Sequence, residues 1–417
     1  MWNRPSTQSD FMSMYGFFPW LRLTENLTFG EFELQPFSTG DTTAEAWGGF
    51  AKVLTAYKRG ASPVSKATRV RFHALAWNAE LDESQRSALF EFSDLLAASG
   101  IAARELFEGH TYQNRDNFLL VVQSCNTGGS GVTITTRRRD GSTTAFLSIE
   151  RYAVEKPDHV HLGLNRIDGG LLTAMLDLRT HCDYVSVHEA ITLFNLANTD
   201  RPLIREYVEV VLAVSALERL LGCSRGREDE LAPAFTEILK PSTTIPTADS
   251  AIVAGKGGLA SYAAVREAWV RDFFRLRGSA AHGRLSGGYT PAWSTESHLL
   301  LASFVFPLVL KRKLEADGLY CMSKADLEMI DRFEMLLCED LFLQAGEEWP
   351  WHRISSASKR NRRVALAATE LHRKRAERGP VSAEPPQWVR LGCSGRRGGF
   401  LTQCRLTGTQ RRAAVQT

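Results

Sequence analysis

The sequence predicts an α+β protein, in which a mixed α/β domain is followed by an all-α bundle of four or five helices. In the first part, apolar and polar residues alternate along short segments, which is the two-residue period of strands. From residue 186 onward, apolar residues recur at intervals of three and four, which is the period of helices. We therefore predict a mixed α/β domain over residues 1–180, a helical bundle over 181–345 and a basic, disordered tail over 346–417.

The first domain is expected to contain strands on both sides of one helix. Residues 82–100 have a helical pattern that a glycine, Gly100, closes. The dipeptide Asp140-Gly141 predicts a hairpin turn, because this pair favours tight turns between strands. The strand patterns lie in residues 26–37, 118–125 and 131–154.

The bundle is expected to begin with a long helix near residue 200. Asp200 suits the N-cap position, Pro202 suits the first helical position, and Gly222 suits the end. A loop is predicted at residues 241–258, where proline, glycine, serine and threonine are frequent. Further helices are predicted at residues 228–239, 262–282, 296–316 and 324–344.

The composition is that of a soluble globular protein, since 44% of the 417 residues are hydrophobic and 23% are charged. The longest strongly apolar run, Leu299 to Leu310, is much shorter than the roughly 20 residues that a membrane helix needs. The first residues lack the basic-then-apolar pattern of a secretory signal, and the seven cysteines include no C-x-x-C pair. We therefore expect a cytoplasmic protein that uses no membrane, metal or cofactor.

The charge is divided unevenly along the chain. From Trp351 to Thr417 there are 15 Lys and Arg against 3 Asp and Glu, a net +12. The whole chain has a formal net charge of +3, so the residues before Trp351 carry a net −9. A basic tail on an acidic body is suited to electrostatic contact with RNA, or simply to solvation of a disordered segment.

One segment carries more chemistry than any other, the sequence RDFFRLRGSAAHG at residues 271–283. It sets Arg277 and His282 five positions apart at the end of an amphipathic helix. Imidazole transfers protons near neutral pH and guanidinium binds phosphate oxygens, so this pair is the minimum set for cleaving RNA without a metal. Five helical residues subtend about 500°, so the side chains converge only if the helix ends there or the arginine wraps around it.

This segment resembles the motif of the HEPN superfamily, in particular of its Apea-like branch. The signature of that branch is a late helix with Arg, a polar residue, three variable residues and His-Gly, which reads R-G-S-A-A-H-G here. An earlier helix of the branch has a small residue, Leu-Glu and Leu-Leu, and SALERLLG at residues 215–222 is similar. The resemblance covers residues 184–344. Gly278 departs from the usual polar residue after the motif arginine, and Ser279 is the nearest substitute.

The resemblance implies a metal-independent endoribonuclease of a defence or toxin-type system, which cuts RNA through attack of the 2′-hydroxyl. It implies a homodimer that brings two copies of His282 to one cleft, and an antitoxin or regulatory partner besides RNA. It also places Glu218 near the motif, where the carboxylate orients Arg277 or His282. Arg271 and Arg275 lie by spacing nearly on the face of His282, where they extend a phosphate-binding strip.

Two other functions stay open. One is a non-catalytic HEPN-type module that binds RNA or nucleotides as a dimer, which Gly278 favours. The other is a purely structural dimerisation domain. In both, Arg277 and His282 form a helix-end charge pair, in which the helix dipole stabilises a protonated histidine, and Glu218 is a salt bridge between two helices.

The remaining clusters of reactive residues are expected to be structural. His159 and His161, next to Asp158, lack a third metal ligand and are expected at the surface. No nucleophile motif surrounds Cys182. The glycines and lysine of residues 255–258 lack the spacing of a phosphate-binding loop.

Overall fold

In the computed structural model of the chain, the described residues are 12–39, 48–77, 79–107, 112–126, 132–134, 144–146, 153–282, 289–342 and 349–354. The strands are β1 (Met12–Phe18), β2 (Leu27–Phe29), β3 (Phe32–Ser38), β4 (Tyr57–Arg59), β5 (Ser62–Pro63), β6 (Lys66–Phe72), β7 (Val121–Asn126), β8 (Val132–Ile134), β9 (Thr144–Phe146) and β10 (Val154–Glu155). The helices are α1 (Gly48–Leu54), α2 (Glu83–Ala103), α3 (Gly169–Asp177), α4 (Tyr184–Leu196), α5 (Glu206–Leu220), α6 (Glu228–Ile238), α7 (Val265–Ala281), α8 (Thr295–Ala316) and α9 (Lys324–Leu336). The described residues belong to one compact unit, Met1–Lys359.

The strands of the first part form an antiparallel sheet in the order β2-β3-β6-β1-β7-β8-β9. The central strand β1 pairs with β6 on one side and β7 on the other, so that Phe17 lies opposite Arg69 and Val121. A second, three-stranded sheet has the order β10-β4-β5. Helices dominate the chain from α3 onward. The prediction of an α+β fold is therefore confirmed.

Strand β1 packs into an apolar cluster on each face of the sheet, since neighbouring residues of a strand point to opposite sides. Phe17 packs into a small cluster with Phe50 and Tyr57. Phe18 points the other way, into a large cluster that includes Phe32 and continues through α2 into helices α3 to α9. The apolar core therefore continues across residue 180, and helix α3 already lies before it. The domain boundary at residue 180 stays a prediction.

Helix α2 links the sheet to the bundle and differs at its end from the sequence prediction. Its start is confirmed, since Asp82 caps the helix by accepting a hydrogen bond from the Gln85 backbone N–H at 2.8 Å. The end is wrong, because the helix continues through Gly100 to Ala103. Gly100 faces the ring of buried Phe118, and a Cβ atom on it would lie 2.0 Å from Phe118 Cζ. The glycine thus permits a close contact and does not end the helix.

Helix α5 begins later than the sequence predicts. Asp200 is not its N-cap, since Asp200 has a positive φ of 54° and its carboxylate accepts hydrogen bonds from Tyr112 and Asn114. The first helical residue is Glu206, and Leu203, which directly follows the predicted first helical residue, is 93% exposed. The predicted end is confirmed, because Gly222 adopts a φ of 70° directly after the helix.

The other elements agree with the predictions to different degrees. The segment 26–37 forms the hairpin β2-β3 and not one strand, with Gly30 at a φ of 54° in its turn. Helices α6 and α8 lie within one residue of the predicted bounds, whereas α9 ends eight residues early. The paired strands β8 and β9 flank the predicted turn at Asp140-Gly141, which lies outside the described residues, as do residues 355–417 of the tail. No helix in the described ranges is long and apolar enough to cross a membrane.

Candidate active site

Helix α7 carries the motif and is held firmly by its apolar stripe. Trp269 and Phe273 are buried, and the Trp269 ring packs edge-on against Phe333 of α9 with 5.3 Å between ring centroids. The predicted stripe is confirmed along the helix, although Tyr262 precedes the first helical residue. Burial of each of these large rings contributes about 2 kcal/mol or more to the stability of the fold. Helix α7 is therefore held in a fixed position.

The helix ends at the motif histidine, as the sequence predicts. His282 is the C-cap, with φ −95° and ψ 9°, and its backbone N–H donates to the Gly278 carbonyl at 3.2 Å. Its imidazole is exposed. Gly283, expected to stop the helix, lies outside the described residues. An exposed imidazole at the end of a helix is accessible to a ligand.

Arg277 is tied to the helix that the resemblance singles out. Its Nη2 donates to Glu218 Oε2 on α5 at 3.3 Å, and its guanidinium carbon lies 5.6 Å from the centre of the Phe274 ring. Glu218 is 7% exposed, whereas the Arg277 side chain is 27% exposed. Burial raises the pKa of Glu218, and the nearby Arg277 charge opposes that rise. The structure therefore brings Glu218 and Arg277 together, as expected.

This ion pair is incomplete. Glu218 Oε1 and Arg277 Nε are buried, and neither finds a hydrogen-bond partner among the described residues. The contact that joins the two side chains is a single, long hydrogen bond, where a guanidinium and a carboxylate are able to form two parallel ones. Among the described residues, Arg277 thus has no partner for its buried Nε–H, while 27% of its side chain remains exposed.

Arg277 and His282 occupy different sides of the end of α7. Five residues of helix turn through about 500° and rise about 7.5 Å. Arg277 faces α5, whereas His282 is exposed at the C-cap. A site that uses both groups within one chain therefore requires the long arginine side chain to swing toward the helix end.

Arg271 and Arg275, expected to form a phosphate-binding strip, are paired with carboxylates instead. Arg275 binds both oxygens of Glu228 at 2.9 and 2.7 Å. Arg271 contacts Glu228, Asp229 and Glu267 at 3.1 to 3.2 Å. Hydrogen bonding to Glu228 raises the pKa of Arg275 above its already high value. Phosphate contact by either arginine requires exchange of these ion pairs.

The residues after the motif arginine, 278–281, form the last turn of α7. Gly278 is helical, and an added Cβ atom would meet nothing within 4 Å. Ser279 is half-buried and lies three positions before His282. The space beside Gly278 shows that the helix itself does not require glycine there.

His159 is not the surface residue that the sequence predicts. Its Nε2 lies 2.7 Å from Asp116 Oδ2, and its side chain is only 16% exposed. Arg201 binds both oxygens of Asp116 at 2.7 and 2.8 Å, which lowers the pKa of this buried carboxyl group against the effect of burial. No three His, Cys, Asp or Glu side chains approach closely enough to hold a metal in the part of the chain that the structure describes.

A cavity of about 360 Å³ lies between the end of α2 and the first turns of α5 and α8. Glu209 lines it, together with Asp200 and Glu206. Burial, followed by the charges of Asp200 and Glu206, raises the pKa of Glu209 to about 7. This carboxyl group therefore titrates near neutral pH.

Sequence reasoning missed Glu228, although a signal was present. Residues 228–230 are an acidic run, Glu-Asp-Glu, at the start of α6, and Arg271 and Arg275 are four positions apart on α7. Opposite charges on two helices close in the chain indicate a salt-bridged pair of helices.

No family model, no curated protein and no solved structure matches this chain.

Proposed function

We propose that the chain is a metal-independent endoribonuclease of a defence or toxin-type system, with Arg277 and His282 as its catalytic residues. The observation that carries the proposal is the exposed imidazole of His282 at the end of a firmly packed helix, five residues after an arginine that Glu218 holds. The resemblance of the motif to HEPN ribonucleases supports the same chemistry.

The proposed reaction is a transfer of the phosphodiester to the neighbouring ribose oxygen. A neutral imidazole accepts the 2′-hydroxyl proton while the oxygen attacks phosphorus, and a protonated imidazole gives a proton to the departing 5′-oxygen. The products are a 2′,3′-cyclic phosphate and a 5′-hydroxyl. Arg277 stabilises the charge that develops on the phosphorane oxygens.

The proposed reaction requires both a general base and a general acid, and the motif contains one histidine per chain. We infer that two chains pair through their helical bundles so that two copies of His282 flank the scissile phosphate. Equal mixing of wild type with His282→Ala tests this pairing. After subunit exchange, the mixture retains about a quarter of the activity of wild type at the same total concentration if a site needs both histidines, and about half if each chain acts alone.

A second candidate function is a non-catalytic module that binds RNA or nucleotides as a dimer. The pairing of Arg271 and Arg275 with carboxylates favours the absence of catalysis in such a module, since these arginines of the motif helix then serve to join α6 and α7. The glycine at position 278 also favours it.

The decisive experiment is an RNA-degradation assay in EDTA with wild type, His282→Ala and Arg277→Ala. His181→Ala is a matched control, because it removes another exposed histidine outside the motif. A ribonuclease cuts RNA and leaves DNA of the same sequence intact, and both motif variants lose cleavage while the control keeps it. Binding of RNA without cleavage by wild type assigns the second function, and cleavage by either motif variant refutes the assigned roles.

A further inference from the structure

A buried carboxylate, Asp272, lies beneath the motif on the core-facing side of α7. Its side chain is 0% exposed. Its Oδ1 accepts a hydrogen bond from the Tyr289 hydroxyl. Its Oδ2 accepts bonds from the backbone N–H groups of Ala292 and Trp293 at 2.8 and 3.2 Å and lies 2.9 Å from His298 Nε2. Both oxygens are thus satisfied, and charge-assisted bonds of this kind are roughly twice as strong as neutral ones.

The donors come from the chain that follows the motif. Residues 289–293, here termed the strap, are the first described residues after His282, and His298 lies in the first turn of α8. The His298 ring stacks on Phe273 with 4.9 Å between centroids. Because His298 is fully buried, its pKa is lowered despite the nearby Asp272, so the neutral ring donates from Nε2. Asp272 therefore binds both the strap and α8 to the motif helix through hydrogen bonds.

Asp272 and the strap, which together are termed the anchor, lie close to His282 along the chain. Asp272 and His282 are ten residues apart, which is about 15 Å along a helix. From His282 to Tyr289 there are seven residue steps, which span at most about 25 Å. The strap therefore begins within seven residues of the motif histidine, and Asp272 holds it against α7.

We propose that Asp272 is a positioning residue, which fixes the end of α7 and thereby the place of His282 by holding the strap through Tyr289, Ala292 and Trp293. This inference deepens the proposed ribonuclease and rests on it for its effect on catalysis. The effect on the helix end itself does not require any activity. Misplacing a catalytic group by about 1 Å costs up to about a hundredfold in rate.

The test compares Tyr289→Phe with Tyr320→Phe. Tyr320 is a matched control, because its hydroxyl also donates to a carboxylate, that of Asp326 at 3.1 Å, at a distance in sequence from the motif. Amide exchange measured by NMR reports the helix end through the His282 N–H, which donates to Gly278. RNA cleavage reports kcat and KM separately. Asp272→Asn serves as a second variant, since it keeps one acceptor oxygen.

We expect Tyr289→Phe to speed exchange of the His282 amide about tenfold and to lower kcat about tenfold with KM unchanged, while Tyr320→Phe alters neither. Unchanged His282 exchange in both Tyr289→Phe and Asp272→Asn overturns the inference, whatever the activity. Faster exchange with a wild-type kcat also overturns it, because the helix end then does not position the histidine. If wild type does not cleave RNA at all, faster exchange in Tyr289→Phe alone supports the anchor, and only the ribonuclease proposal fails.

Discussion

Replacement of Gly100 by alanine tests the contact through which α2 meets the sheet. The added methyl group would lie 2.0 Å from Cζ and 2.5 Å from Cε2 of Phe118, whose ring is fully buried. Alanine gains about 1 kcal/mol over glycine in a helix. Overpacking of a filled core costs about 1 to 3 kcal/mol or more, and a contact this short lies at the upper end. We therefore expect the free energy of unfolding to fall by about 2 kcal/mol.

Gly278→Ala is the matched control, because it is also a helical glycine but has no atom within 4 Å of the added methyl. It should gain about 0.5 to 1 kcal/mol, since only the helix propensity changes. Urea unfolding followed by far-UV circular dichroism should therefore show midpoint shifts of opposite sign. Shortening Phe118 to leucine should recover part of the loss in Gly100→Ala. Shifts of the same sign, or a Gly100→Ala variant as stable as wild type, would contradict the packing argument.

Three further predictions follow from charge. Burial and the nearby carboxylates penalise the charged form of Glu209 and raise its pKa to about 7. Below pH 4.5 the group is protonated in both the folded and the unfolded chain, so Glu209→Gln should leave the free energy of unfolding unchanged there. Above pH 7 it should raise the free energy of unfolding by about 1 to 2 kcal/mol, which denaturant titrations across this range measure. Glu228→Gln should tighten RNA binding severalfold at low salt, because it releases Arg275 and leaves Arg271 with Asp229 and Glu267 only. Unaltered affinity would argue against a masked strip. Removing residues 360–417 should flatten the salt dependence of RNA binding, and an unchanged slope would assign the tail to solvation.

Much of the helical part was predictable because apolar residues either recur at the helical period or form a long apolar run. The period of apolar residues predicts α6 and most of α7, and the apolar run of residues 299–310 predicts α8, whose residues 301–310 are all buried. In the structure, Ser294 caps α8. Strand β6, which lies between β3 and β1, was missed, because Arg69 and Arg71 interrupt its apolar pattern. Arg69 is nevertheless 1% exposed and lies 4.1 Å from the centre of the Trp77 ring. An aromatic ring distant from the strand pattern thus makes a buried cation acceptable.

The predicted start of α5 was wrong for a related reason. Local capping rules favour Asp200 and Pro202, but they consider only the neighbouring residues. Tyr112 and Asn114 bind the Asp200 carboxylate from another part of the chain, so Asp200 is no longer available to cap. Contacts between residues about 90 positions apart are invisible to a local pattern.

The candidate site was also predicted only in part, because the local pattern around Arg271 and Arg275 does not reveal their partner on another helix. This partner affects how the arginines bind phosphate. Helical spacing places Arg271 and Arg275 on one side of α7, and the structure agrees that they share a partner there. That partner is the carboxylate of Glu228, whose two oxygens bind Arg275 in the fork geometry that phosphate also uses. The acidic start of α6 therefore occupies the place that the proposed RNA backbone would take. RNA that engages these arginines must displace Glu228, so its binding exchanges one ion pair for another and gains less than a free basic strip would offer.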